Sequence, residues 1–102
     1  MPSVAQLESL LESAPDDAFL LYGLGIEHAK AGRINEAVAM FDRCLSSDPA
    51  YLYAYYHKAR VLIDAGRGDE ARHVLDAGVE AAIRLDDAKA HGEMLTLGER
   101  LA

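Results

Sequence analysis

The sequence predicts an all-α protein: an α–α superhelix of about six antiparallel helices, built from stacked helical hairpins. Three observations carry this. The first is a period of 34 residues. Leu7, Phe41 and Leu75 keep that step, as do Leu11, Leu45 and Val79; Pro15 pairs with Pro49, Tyr22 with Tyr56, Gly32 with Gly66, and Glu36-Ala37 with Glu70-Ala71. A fixed period of this size marks stacked supersecondary units, none of which buries its apolar face alone. The second is apolar spacing at i, i+3, i+4 and i+7 within each segment, with no alternating β-branched run and no Asn-Gly or Asp-Gly turn. The third is composition. Ala and Leu abound and prolines number only three, which favours helix.

The elements follow in order. Ser3-Val4-Ala5-Gln6 has the form of a capping box, and Leu7, Leu10 and Leu11 follow at helical spacing until Pro15. Asp16 and Asp17 then cap a second helix, about Asp17 to Ala31, with Leu21, Leu24, Gly25 and His28 on one face. Gly32 stands just past its end, where a left-handed residue is needed. A third helix, about Asn35 to Ser47, carries the stripe Ala37, Val38, Phe41, Cys44 and Leu45 and stops at Asp48-Pro49. The fourth, about Ala50 to Ala65, shows Tyr55, Ala59 and Leu62, and Gly66 ends it. The fifth, about Asp69 to Leu85, shows Ala71, Val74, Leu75 and Val79. The sixth, about Asp87 to Leu101, shows Ala90, Met94, Leu97 and Leu101. The period falters at one place: Ile83 stands where Pro15 and Pro49 lead one to expect proline, and the sixth stripe comes one residue late. Either the fifth helix is longer, or an irregular turn at Leu85 to Asp87 joins the two.

Composition bounds the function. The chain is 102 residues, one domain in length, with a net charge of −7. An acidic surface repels phosphate backbones, so no nucleic-acid partner is expected. The run Ala18 to Ile26 is far shorter than the ~20 residues a membrane helix needs, so no membrane is expected either. Met1 to Asp17 holds no Lys or Arg and does not read as a secretory signal. The one cysteine, Cys44, forms no intrachain disulfide and fits a reducing, cytoplasmic setting.

Hairpins of 34 residues with small residues at fixed offsets resemble the tetratricopeptide repeat family. The residues that carry the resemblance are Leu21, Leu24-Gly25 and His28, then Ala37, Phe41, Cys44 and Pro49. In the second unit they are Tyr55, Ala59 and Leu62, then Ala71, Leu75 and Gly78, with departures at Lys58 and Ile83. The resemblance divides the chain into a half-repeat helix (1–15), repeat 1 (18–51), repeat 2 (52–85) and a capping helix (86–102). Small Gly25, Ala37, Ala59, Ala71 and Gly78 let paired helices approach, and Phe41 and Leu75 fill the gap left.

The resemblance also implies a function: an interaction module or scaffold that holds a peptide or helix of another protein in a concave groove lined by the first helix of each unit. The residues it places there are Phe19, Tyr22, Ile26 and Lys30, then Tyr53, Tyr56, Arg60 and Asp64, with His91 or its neighbours added from the sixth helix. Phe19-Tyr22 and Tyr53-Tyr56 would lie as two aromatic pairs side by side. Core packing does not obviously need them, and Tyr is enriched at binding hot spots. The bland alternative is that these rings cover neighbouring helices. Some relatives hold a carboxylate with a clamp of Lys, Asn and Arg; Tyr22, Ile26 and His57 stand at three of its positions here, so no chaperone tail is implied. A second functional reading is self-assembly into homo-oligomers through the terminal helices, where Gly78, Gly92, Gly98, Met94 and Leu95 leave an apolar patch.

Chemistry finds little support. No nucleophile–base pair, Gly-x-Ser-x-Gly or phosphate loop is present, and the acidic residues scatter over helix faces, so no enzyme is expected. His28 reads as a packing residue and His73 as exposed. No Cys or His stands four residues from any histidine, so neither a metal nor another cofactor is expected. Cys44 occupies a small-residue slot and reads as an inert thiol.

Overall fold

The computed structural model describes residues 2–101; Met1 and Ala102, the ends of the expected domain, lie outside the described residues. Among the described residues there are six α-helices, a terminal 3-10 turn and no strand. They form two compact units, one ending at Tyr51 and the other beginning at Leu52. The first holds α1 (Val4–Ser13), α2 (Ala18–Lys30) and α3 (Ile34–Ser47). The second holds α4 (Leu52–Asp64), α5 (Gly68–Arg84), α6 (Ala88–Gly98) and the 3-10 turn Glu99–Leu101. No helix is long and apolar enough to cross a membrane among the described residues.

The helix ends follow the sequence signals closely. Ser3 and Gln6 form the expected capping box: the Gln6 amide donates to Ser3 Oγ at 3.2 Å, and Ser3 N donates to Gln6 Oε1 at 2.8 Å. Asp17 caps α2 by accepting from Leu20 N at 3.1 Å, and Asp87 caps α6 by accepting from Ala90 N at 2.9 Å. α4 starts two residues later than expected. Asp48 holds the chain in a turn, its carboxylate accepting from Ala50 N at 3.0 Å and its carbonyl from Tyr51 N at 3.0 Å, so the helix begins only at Leu52.

Gly32 and Gly66 both sit at φ 77°, and each closes the same C-terminal turn. Arg33 N donates to His28 O at 2.9 Å and Gly32 N to Ala29 O at 3.1 Å; Arg67 N and Gly66 N donate likewise to Leu62 O and Ile63 O. This paired capping turn uses up carbonyls that a helix end leaves orphaned. A third copy of the turn resolves the ambiguous joint near Ile83. Asp87 N donates to Ala82 O at 2.9 Å and Asp86 N to Ile83 O at 3.1 Å, with Asp86 itself at φ 56°. With no proline to stop it, α5 runs 17 residues against 14 for α3, and then turns through a left-handed aspartate. α6 consequently begins 36 residues after α4, where the period allots 34.

The small residues do what close helix packing requires. In the first unit, Leu21, Leu24, Ala37, Phe41 and Cys44 have at most 1% exposure. A Cβ placed on Gly25 would lie 2.5 Å from the Phe41 ring, so the ring occupies the notch that glycine leaves. α1 joins through Leu7, which reaches to 3.5 Å from where a Gly23 Cβ would stand. In the second unit one buried cluster unites Leu52 and Ala59 of α4, Leu75, Ala81 and Ala82 of α5, and Ala90, Met94 and Leu97 of α6. Gly78 is its tight point: an added Cβ would stand 2.6 Å from Met94 Sδ and 2.8 Å from Tyr55 Cβ.

Candidate partner-binding faces

On α2, the expected groove residues Phe19, Tyr22, Ile26 and Lys30 fall at i, i+3, i+7 and i+11, one helix face. Phe19 is 70% exposed, an unusual state for a phenylalanine inside a helix. Lys30 points to solvent and pairs with Glu27 at 3.1 Å, a surface contact worth little. Tyr22 is also engaged within its own unit. Its ring lies tilted against Tyr51, 4.9 Å between centroids, and against Phe41, 6.1 Å, so it is half-buried and contributes to packing. Tyr51 was not legible as a site neighbour because its 34-residue counterparts are Asp17 and Leu85. Burial, then Cys44, Tyr22, Asp17 and Asp48 around it, push the Tyr51 phenol above its ordinary range.

On α4, Tyr53, Tyr56, Arg60 and Asp64 likewise share one face. Tyr53 and Tyr56 meet edge to face at 6.3 Å, and Tyr56 meets the His57 ring at 5.2 Å. The Tyr53 hydroxyl donates to Glu93 Oε1 of α6 at 3.3 Å. Removal from water, followed by the Glu93 carboxylate, raises the Tyr53 phenol. Asp64 is engaged by Arg100 at 2.7 Å, which ties the end of α4 to the terminal turn. His57 is half-buried; its removal from water, then the Arg60 charge, lower it to about 4.

Between α4 and α6 lies an open cleft of about 440 Å³, lined by Tyr56, Ala88, Lys89, Gly92, Glu93 and Thr96. His91, expected from α6 together with its neighbours, lines a different recess with Ala82, Ile83, Asp86 and Asp87, while its neighbour Gly92 lines the cleft. The cause is the longer α5. Because α6 starts 36 residues after α4, it presents Lys89, Gly92 and Thr96 as the counterparts of Tyr53, Tyr56 and Arg60. At +34 those counterparts would have been Asp87, Ala90 and Met94, of which the last two are buried. Gly92 thus stands where α2 and α4 carry tyrosine, and a Cβ built on it meets nothing within 4 Å.

Among the described residues no three His, Cys, Asp or Glu side chains gather to hold a metal. Cys44 is fully buried, and burial, then Asp48, push its thiol up to about 11, so it stays protonated and unreactive at neutral pH. His28 accepts from Arg33 Nε at 2.8 Å, holding the turn that leads into α3.

The geometry of paired helices with glycine notches is matched by comparison with known proteins. A tetratricopeptide repeat model covers residues 28–91. The chain belongs to the tetratricopeptide repeat family. A Pseudomonas aeruginosa protein named as TPR repeat-containing is 30% identical over 95 residues, covering 93% of this chain and 90% of its own length. Superkiller protein 3 of Saccharomyces cerevisiae is 31% identical over 74 residues, 72% of this chain, but the match spans only 5% of that protein. Among solved structures, a Bordetella parapertussis protein superposes with a TM-score of 0.85 at 25% identity, covering 99% of this chain and 88% of its own. The TPR2B domain of yeast Sti1, solved in a complex with pHsp70, gives a TM-score of 0.89 at 23% identity, covering 96% of this chain and 78% of the other. That likeness is one of fold. The tetratricopeptide repeat is a protein-interaction fold.

Proposed function

We propose that this chain holds a peptide or helix of another protein against its first-helix faces. The observation that carries the reading is the cleft between α4 and α6. Its floor is Gly92, at the position where the other first helices carry Tyr22 and Tyr56, so the space of one aromatic ring stands open beside Tyr56. A large apolar side chain of a partner fills that space and stacks on Tyr56. Lys89, Glu93 and Thr96 at the rim offer one donor cation, one acceptor anion and one hydroxyl to its neighbours. Exposed Phe19 gives the first unit an aromatic contact of its own. Tyrosine faces suit this task because they offer area and a polar tip at low entropic cost.

The Sti1 complex with pHsp70 shows this fold engaged with a partner. The partner class is not carried over, because Tyr22, Ile26 and His57 replace clamp residues on which carboxylate capture in the family depends. The buried lone cysteine suits a reducing, cytoplasmic setting.

The test is to select peptides from a display library against the intact chain, then measure their affinity for Gly92→Phe and Tyr56→Ala variants. Gly92→Phe fills the cleft without touching the core, so it should weaken binding at least tenfold, about 1.4 kcal/mol, with the thermal melt nearly unchanged. Tyr22→Ala is not a clean probe, since it also removes packing against Phe41 and Tyr51. Selected peptides that bind Gly92→Phe as tightly as the parent chain would place the interaction elsewhere.

A further inference from the structure

The cleft between α4 and α6 has a rigid aromatic wall. The Tyr56 ring that lines it is met edge to face by Tyr53 at 6.3 Å and by His57 at 5.2 Å, so its orientation is set before anything enters. Tyr53 also fixes the opposite wall. Its hydroxyl donates to Glu93 Oε1 at 3.3 Å, which holds that carboxylate of α6 against α4. One tyrosine thus positions both the ring and the acid. A site set in advance loses less entropy on binding than a loose one.

The polar atoms beside that ring are chiefly acceptors. Thr96 spends its hydroxyl hydrogen on Gly92 O at 3.0 Å, so its oxygen keeps only acceptor capacity. Glu93 Oε2 receives no hydrogen bond among the described residues, and a carboxylate accepts without donating. Lys89 stands on the lining four residues before Glu93, on the same side of α6. One cation and one anion balance, so the cleft gives no electrostatic advantage to a charged side chain.

We infer that the cleft takes an aromatic ring with a hydrogen-bond donor at its edge, a tyrosine or tryptophan of the partner, an inference that rests on the peptide-holding role proposed above. The chain's own repeat favours this occupant. Gly92 stands in the register held by Tyr22 of α2 and Tyr56 of α4, so the ring absent from α6 is a tyrosine ring in both other first helices. Glu93 already receives one phenol, that of Tyr53, on Oε1. The incoming donor takes Oε2 or the Thr96 oxygen while its ring lies on Tyr56. Phenylalanine or leucine fills the same space but strips water from these acceptors and returns no hydrogen bond. That loss is what lets a site reject an analogue lacking the donor. Arginine donates, but it arrives beside Lys89 and gives up the hydration of its charge.

The probes are the display peptides that lose affinity for Gly92→Phe. Each is resynthesised with tyrosine, tryptophan, phenylalanine, leucine or arginine at its anchor, the position where alanine costs most affinity. On the parent chain the tyrosine or tryptophan form should bind about tenfold or more tighter than the phenylalanine form, the worth of a hydrogen bond to a charged acceptor. Glu93→Ala and Thr96→Val should each shrink that ratio, and the two together should bring it to about one. A merely structural effect weakens every form alike and leaves the ratio standing, so ratio and thermal melt are read together for each variant. A phenylalanine, leucine or arginine form that binds as tightly as the tyrosine and tryptophan forms overturns the inference and spares the peptide site. So does a ratio that survives the double variant. If no peptide loses affinity for Gly92→Phe, the peptide site itself is refuted, and the inference falls with it.

Discussion

The contact between Gly25 and Phe41 makes a quantitative prediction that the protein itself helps to calibrate. Gly25→Ala would place a methyl 2.5, 2.7 and 2.8 Å from three atoms of the Phe41 ring. The ring is wholly buried and bounded by Tyr22, so it has little room to yield. Overpacking of this kind costs about 1–3 kcal/mol, and the three short contacts argue for the upper part of that range. Alanine returns roughly 0.5–1 kcal/mol of helix propensity, leaving a net loss near 2 kcal/mol. Phe41→Leu alone opens a cavity and costs about 1–2 kcal/mol, less than the ~3–5 of a truncation to alanine. The second unit already carries the compensated pair, since Ala59 and Leu75 stand at the corresponding positions in one buried cluster. The double variant Gly25→Ala with Phe41→Leu should therefore lose only about 1 kcal/mol, a favourable coupling of about 2 to 3 kcal/mol. Thermal and urea melts followed by circular dichroism read this directly; at this size 1 kcal/mol moves the Tm by about 4–8 °C. If the double variant is as unstable as the sum of its parts, the ring is not what makes Gly25 necessary.

Two further outcomes follow from the turns and from His57. Gly66 is at φ 77° with open space around its would-be Cβ, so Gly66→Ala should cost about 1 kcal/mol from backbone strain alone, and Gly66→Asn measurably less, as the left-handed Asp86 in the equivalent turn suggests; equal melts for Ala and Asn would count against the strain account. His57 is held near 4 in the folded chain against 6.5 when exposed, so the unfolded chain takes up the proton first; its stabilising contribution is full above pH 6.5 and is lost as pH falls towards 4. Urea melts should show His57→Gln flattening the loss over that window by roughly 1–3 kcal/mol, a figure trimmed for the ring's partial contact with solvent, whereas parallel pH profiles would show that the imidazole is not desolvated.

The stops at Gly32, Gly66 and Pro15, the Ser3–Gln6 box and the glycine notch under Phe41 are all local or periodic requirements. They can be read from spacing, because a left-handed turn needs glycine and a close helix pair needs a small residue, wherever the partner lies. The proposed binding face was legible only in outline. Phe19, Tyr53 and Tyr56 were picked out by their 34-residue echo, but Tyr22 was drawn into packing by Tyr51, a residue with no echo to announce it. Lys89 and Glu93 escaped, and Gly92 was reached only as a neighbour of His91, for a different reason: a period predicts them only if each helix keeps its length.

By itself, then, the sequence determined the helices, their caps, the hairpin repeat and the size of each residue at the notches, since those depend on local geometry and on a step that the chain repeats. Only the tertiary structure decided what α6 presents. Without a proline at Ile83, α5 runs on for three residues beyond the period and leaves through a left-handed turn at Asp86, which turns Gly92 towards Tyr56. Helix phase advances ~100° per residue, so a shift of two residues in where a helix starts changes which side chains share a face.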